Sequence, residues 1–167
     1  MEKFIQEYEK FVCIVKSEFS QGSGTLISGD GLILTCAHVL MGTKLEAIFK
    51  VDSTNKTYDT EIVFVDEKND VALIRAINYN NTKWANIRLL QPSVKGERIV
   101  AIGNPTIADI KTTNVSGASS GIVSNPKIES RGSERMVADI TIASGSSGGP
   151  IFSLKTGELI GIVTAVG

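Results

Sequence analysis

Three side chains in this sequence could between them move a proton and open a carbonyl. His38, in LTCAHVL (34–40), is the single histidine of 167 residues. A lone histidine in an apolar run is commonly a core residue, so it gains meaning only from partners. Asp70 opens the apolar run NDVALIRA (69–76). Alone it reads as a strand-start or turn residue. A carboxylate at a strand edge is also what an imidazole needs to accept its Nδ1–H, fix its tautomer and stabilise the imidazolium. The third is a serine in ASGSSGGP (143–150). Its small residues could spell a flexible linker, but the apolar runs MVADITI before it and IFSL after it argue for a tight turn held between strands. A serine nucleophile needs such a turn, with an exposed Oγ and N–H groups aimed at the developing oxyanion. Gly145 has the backbone freedom to present its N–H, and Gly148 and Gly149 leave room for a neighbouring chain.

Chain order narrows the chemistry. Residues 145–149 also spell the G-x-S-x-G elbow of α/β-hydrolases. That fold places its histidine after the serine, and none follows Ser147 here. An esterase on that fold is thereby excluded. A phosphate loop is excluded too, because no Lys-Ser/Thr pair follows the glycines. Cys13 and Cys36 sit in apolar runs and read as small buried residues. With one histidine and no Cys/His cluster at metal-site spacing, no metal and no cofactor is expected.

The elements that must position these residues are strands. Short Val- and Ile-rich runs are bounded by Gly, Asn, Asp or Pro, the pattern of an all-β barrel protein. Strands are expected near 11–17, 23–28, 32–35, 44–51, 57–65 and 70–76, then near 97–102, 117–124, 135–142, 150–154 and 158–165. Gly-Asp-Gly at 29–31 and KTG at 155–157 read as tight turns. The start, MEKFIQEYEK, has Phe4, Ile5 and Tyr8 at helical spacing. Residues 77–92 read as a linker, and 106–117 and 125–134 as loops. The division expected is a barrel over 1–78 carrying His38 and Asp70, a linker over 79–92, and a barrel over 93–167 carrying the serine.

Composition sets limits on partners. Hydrophobic residues are 42% and charged residues 21%, enough for a packed core. A net charge of −1 gives no bulk attraction for nucleic acid or an anionic membrane. No apolar stretch suggests membrane insertion, and the acidic start lacks a signal-peptide layout, so the expectation leans to the cytoplasm.

TCAHV, DVALIRA and GSSGGP, in that order, resemble the three catalytic blocks of trypsin-like serine proteases. GSGTLISGDGLILTCAHV, AIGNP, SGIVSN and GGPIFSLKTGELIGI are similar to the HtrA (Deg) type within that family. The resemblance implies two Greek-key antiparallel β-barrels, the second one strand short in this chain, with the active site between them. It implies a serine endopeptidase acting on protein or peptide substrates. Ser147 would be the nucleophile, His38 the general acid/base and Asp70 its partner, with the N–H groups of Gly145 and Ser147 as oxyanion hole. Thr141, Ile142 and Ala143 would form one side of the S1 pocket and Val163, Thr164 and Ala165 the other. No acidic residue among them could pair a Lys or Arg, so a small or medium aliphatic P1 residue is expected. HtrA-type proteases often form trimers, which implies a homo-oligomer. The alternative is a silenced protease-fold module that binds peptide without cleaving it. Ser146 stands where zymogen-activated relatives carry Asp, so dependence on a freed N-terminal amine is not expected. Val39, not a cysteine, follows His38, so the family disulfide is absent.

Overall fold

The computed structural model describes residues 1–51, 54–103, 117–130, 132–142 and 146–164. A helix, α1 (Glu2–Tyr8), and a 3-10 turn (Glu9–Phe11) lead into β1 (Val12–Lys16). Five more strands follow: β2 (Gln21–Leu26), β3 (Leu32–Thr35), β4 (Glu46–Val51), β5 (Thr54–Asp66) and β6 (Val71–Ala76). They close into an antiparallel barrel in the order β1-β2-β3-β6-β5-β4. The second half holds β7 (Arg98–Gly103), β8 (Gly117–Ser130), β9 (Ser133–Asp139), β10 (Pro150–Ser153) and β11 (Leu159–Ile162). These form one five-stranded sheet, β11-β10-β7-β8-β9. A closed six-stranded barrel and a five-stranded sheet meet the all-β expectation, including the strand missing from the second half.

One expectation fails. Residues 125–130 and 133–134 are not a loop but the outer end of a long hairpin, in which Asn125 pairs with Val137 and Ser130 with Ser133. The register shifts between Val123 and Asn125 and again between Asn125 and Ile128. Those bulges break the two-residue alternation that marks a strand in sequence, and Asn125-Pro126 imitates a turn. Of the other expected loop, residues 104–116 lie outside the described residues.

Three apolar clusters hold the molecule. Val15, Leu26, Ile33, Phe49 and Ile74 fill the barrel, with Phe49 stacked on Tyr79 at 4.5 Å between ring centroids. Ile99, Val123, Ile151 and Val163 fill the second sheet, covered by Met136 and Ile140. The middle cluster lies between the halves. There Phe152, Val100 and Leu159 meet Phe11 and Val12, with Ile27 and Leu34 of the barrel against them. The face of α1 bearing Phe4, Ile5 and Tyr8 joins this cluster. Phe4 stacks on Tyr8 at 4.1 Å, and Tyr8 lies edge-on to Phe152 at 5.1 Å. Burial of these rings and of the aliphatic side chains around them draws the halves together.

The 77–92 segment is strapped across that seam. Ala85 N–H donates to Leu26 O at 3.0 Å, and Leu159 N–H to Asn86 O at 2.7 Å. Arg88 then grips Glu97 with two hydrogen bonds of 2.9 and 2.7 Å and Glu158 with one of 2.9 Å. The Arg88 and Glu97 side chains are only 9% and 8% exposed, so each depends on the other for solvation. The hydrogen bonds from Arg88 hold the Glu97 carboxyl down to about 2.

Candidate active site

Antiparallel pairing of β3 with β6 brings the first two residues together. Thr35 at the end of β3 faces Ala72 near the start of β6. His38, three residues beyond Thr35, and Asp70, two before Ala72, therefore emerge at the same end of the barrel. His38 sits on a 3-10 turn, Ala37–Val39. Asp70 closes a turn in which Asn69 is bonded to the Asp66 carboxylate and Asp70 N–H donates to Glu67 O. Its φ is +56°, a left-handed conformation that aspartate tolerates better than most residues and that recurs at functional sites.

The Asp70 carboxylate holds His38 at two points. Oδ1 accepts the His38 backbone N–H at 2.9 Å, and Oδ2 accepts Nδ1–H at 2.6 Å. A carboxylate can only accept, so the ring proton sits on Nδ1 and Nε2 is left with its lone pair. The ring is half exposed and the carboxylate 18% exposed, so the imidazole is reachable from solvent while its anchor is sheltered.

Sequence reasoning passed over the clamps on this histidine. Ser20 Oγ donates to Val39 O at 2.7 Å. Glu18 accepts from Lys44 N–H at 2.8 Å and from Thr43 N–H and Oγ1–H, bonds that hold its carboxyl down to about 2. Polar residues in an exposed loop look alike in sequence whether or not they are bonded.

The serine turn is fixed from both halves. Ser23 N–H of β2 donates to Ser147 O at 2.7 Å. From the second sheet, Gly148 N–H donates to Val163 O at 2.7 Å, and Val163 N–H to Gly149 O at 2.9 Å. Two glycines permit this closeness. Gly148 has a φ of +85°, and a Cβ there would stand 2.3 Å from both Ser23 O and Thr35 Oγ1. A Cβ on Gly22 would stand 2.7 Å from Ser147 O. Ser146 is buried against Gly103 at the end of β7, while Ser147 is partly exposed. The two serines are thus physically distinct, one packed and one available.

The turn brings Ser147 to the barrel edge that carries His38. Among the described residues no hydrogen bond joins Ser147 Oγ to His38. The side-chain atom facing Nε2 is Cys36 Sγ, 3.8 Å away. Apo sites of this type are commonly looser at the nucleophile–base contact than the reacting complex. Thr141, Ile142 and Val163 line a small cavity of about 120 Å³ together with Ser146 and the ends of β7 and β8. Among the described residues no charged side chain lines it. Thr164 instead accepts a 2.7 Å hydrogen bond from Arg135 on β9. Ala143, Gly145 and Ala165 lie outside the described residues. No helix among the described residues is long and apolar enough to cross a membrane.

Comparison with known proteins agrees with this fold. The model of the trypsin-like peptidase domain family matches residues 22–162. Serine protease HTRA1 of Xenopus tropicalis is 34% identical over 146 residues, covering 87% of this chain and 31% of that protein. Serine protease HTRA2, mitochondrial, of Drosophila erecta is 31% identical over 144 residues, covering 86% and 34%. Putative protease Do-like 14 of Arabidopsis thaliana is 29% identical over 150 residues, covering 86% and 35%. The chain thus spans about a third of the length of the curated relatives it matches. The solved structure of Deg5 superposes with a TM-score of 0.81 over 99% of this chain and 84% of that one, at 23% identity. A two-half β fold, a histidine clamped by an aspartate, a serine turn stapled beside them and a family match over residues 22–162 lead to one statement: this chain belongs to the trypsin-like peptidase domain family and is of the HtrA/Deg type within it.

Proposed function

We propose that the chain is a serine endopeptidase whose active centre is His38, Asp70 and Ser147, split between a first unit of residues 1–78 and a second of residues 93–167 joined by 79–92. The observation that carries this reading is the doubly bonded Asp70–His38 pair, with bonds of 2.9 and 2.6 Å, which places the ring proton on Nδ1 and leaves the Nε2 lone pair of the neutral imidazole to act as base. Ser147 Oγ attacks the scissile carbonyl as Nε2 takes its proton. The N–H groups of Gly145 and Ser147 receive the oxyanion. Collapse of the tetrahedral intermediate expels the amine, which takes the proton from His38 and leaves an acyl-enzyme. Water, activated by the same nitrogen, then releases the acid and restores Ser147. Thr141, Ile142, Ala143, Val163, Thr164 and Ala165 shape the P1 pocket in this reading. The uncharged lining around Thr141, Ile142 and Val163 supports a small or medium aliphatic P1 residue. In this reading an extended substrate segment adds as a strand along the edge near 162–165, beyond Leu159, whose N–H and C=O are already taken by Asn86 and Arg88.

A second reading has an observation in its favour. Without a Ser147–His38 hydrogen bond, and with a thiol facing Nε2, the chain could hold peptide in a resting, uncleaving form. Labelling with a fluorophosphonate separates the two. Covalent modification of Ser147, absent in Ser147→Ala, is expected of the protease. An unlabelled Ser147 with retained peptide binding would establish the module instead. Cleavage mainly after Arg or Lys in a peptide library would refute the P1 assignment.

A further inference from the structure

Cys36 has no part in the peptidase reading, yet its sulfur points at the site. It lies immediately before the 3-10 turn of His38, is fully buried, and is a free thiol. Sγ stands 3.8 Å from His38 Nε2. Ligand atoms of Cys36, His38 and Asp70 all lie within 4.8 Å of one another. These are sulfur, imidazole and carboxylate, the donors that zinc takes most readily. A Zn–S bond of about 2.3 Å and a Zn–N bond of about 2.05 Å at a tetrahedral angle span about 3.6 Å, close to the separation already present.

The carboxylate is placed where a metal-bound imidazole needs it. Ligating histidines nearly always donate their second N–H to a carboxylate or carbonyl, which fixes the ring and strengthens the donor nitrogen. Asp70 Oδ2 already accepts Nδ1–H at 2.6 Å. The bonding that makes Nε2 a base toward serine makes it equally a ligand toward a cation. The ring is half exposed, so the histidine side of the site is reachable from solvent, while Cys36 lies buried behind it.

We propose that Cys36 Sγ and His38 Nε2 form a binding site for a thiophilic divalent cation such as Zn²⁺, oriented by Asp70, and that its occupation switches the peptidase off by taking the lone pair Ser147 needs. One proton is released per cation bound, that of the Cys36 thiol. Burial pushes that thiol up to about 12, with the Asp70 charge adding to the effect, so the empty site keeps its proton. A coordinated divalent cation reverses this, because a metal-bound thiol is deprotonated outright. Spacing in the sequence obscures the site. Only Cys36 and His38 are neighbours there, and the fold supplies Asp70 through the β3–β6 pairing.

The binding half of the proposal stands on the cluster alone, whereas the switching half rests on His38 being the base. The test uses the full chain titrated with CoCl₂, read by the thiolate-to-cobalt charge-transfer band, and with ZnCl₂, read by fluorophosphonate labelling of Ser147. Expected are one cobalt per chain with the band present, its loss in Cys36→Ser, and affinity weakened at least about tenfold in His38→Gln and about 10- to 100-fold in Asp70→Asn. Cys13→Ala, whose thiol is buried inside the barrel, keeps the band. Zinc should suppress labelling at least about tenfold. Cys36→Ser, measured against its own zinc-free rate, should need at least about tenfold more zinc for the same suppression. No charge-transfer band in the parent chain, or the same band in Cys36→Ser, overturns the site. A band without suppression of labelling, or equal zinc sensitivity in Cys36→Ser, overturns the switch. A chain that is never labelled refutes the peptidase reading instead, while the cobalt titration still decides the site.

Discussion

Replacing Asp70 with Asn tests the assignment of His38 as base at the cost of one atom. The carboxylate accepts two hydrogen bonds, from the His38 backbone N–H and from Nδ1–H. An amide offers one acceptor oxygen and one donor nitrogen, so it cannot satisfy both. If its oxygen keeps the backbone N–H, its NH₂ faces Nδ1, which must then become the acceptor. The ring proton moves to Nε2 and the base is lost. If the amide turns over, two donors oppose each other at the backbone and the 3-10 turn must shift. Either outcome disables proton removal from Ser147. The same change in other triads lowers turnover about 10⁴-fold, or about 5 kcal/mol of transition-state stabilisation. The stability cost is smaller, because the ring is half exposed and only two charge-assisted bonds are altered; about 1–3 kcal/mol is expected. The assay is the second-order rate of Ser147 labelling in a chain shown by circular dichroism to be folded. Labelling within about tenfold of the parent rate would refute the reasoning and reduce the Asp70–His38 pair to a structural contact.

Two further changes probe what holds the site in place. Gly148→Ala combines a left-handed φ with a Cβ 2.3 Å from Ser23 O, so it should cost about 2–4 kcal/mol in urea denaturation and slow Ser147 labelling as well. Gly96→Ala is its control: φ is +87° but nothing lies within 4 Å of the added carbon, so about 1 kcal/mol is expected, and equal losses at the two positions would sink the argument. Arg88→Met strands two carboxylates and should cost about 3–5 kcal/mol. The same pair sets acid stability. Glu97 lies near 4.5 when unfolded and at about 2 when folded, so the unfolded chain binds the extra proton as pH falls. About 3 kcal/mol is therefore fully present above pH 4.5 and lost progressively down to about pH 2. Thermal melts across that range should steepen in the parent and flatten in Arg88→Met; an unchanged acid profile in the variant would refute the assignment.

Strands with an unbroken apolar run were legible, and those whose alternation is interrupted were not, however near their partners lie. LILT and DVALIRA keep an unbroken apolar run, and both became strands, β3 and β6, at the expected places. Residues 125–130 and 133–134 also pair, but the two bulges put successive side chains out of step and hid them. Helical spacing in the first ten residues foretold α1. It could not foretell that Phe4 and Tyr8 would lie against Phe152, a contact between residues more than 140 positions apart.

The candidate site divides along the same line. Residue types and order were enough to nominate His38, Asp70 and Ser147, because taking a proton from a serine hydroxyl and handing it to an amine leaving group admits few side chains. What converts them into a geometry lies in residues without reactive groups. Thr35 Oγ1 donates to Ser23 O at 2.8 Å, and the N–H of the same Ser23 donates to Ser147 O at 2.7 Å. Gly22 and Gly148 are bare where those chains touch. The barrel half and the serine half are thus joined within a few ångströms of the reacting atoms, by backbone rather than by catalytic side chains. A glycine in GSG or SSGGP announces tight packing in the sequence but not its partner. Only the fold shows that the partner of the serine turn is β2, the strand paired with the one that leads to the histidine, so a change in the packing between the halves reaches Ser147 through Ser23 and reaches Gly148 through Thr35 and Cys36.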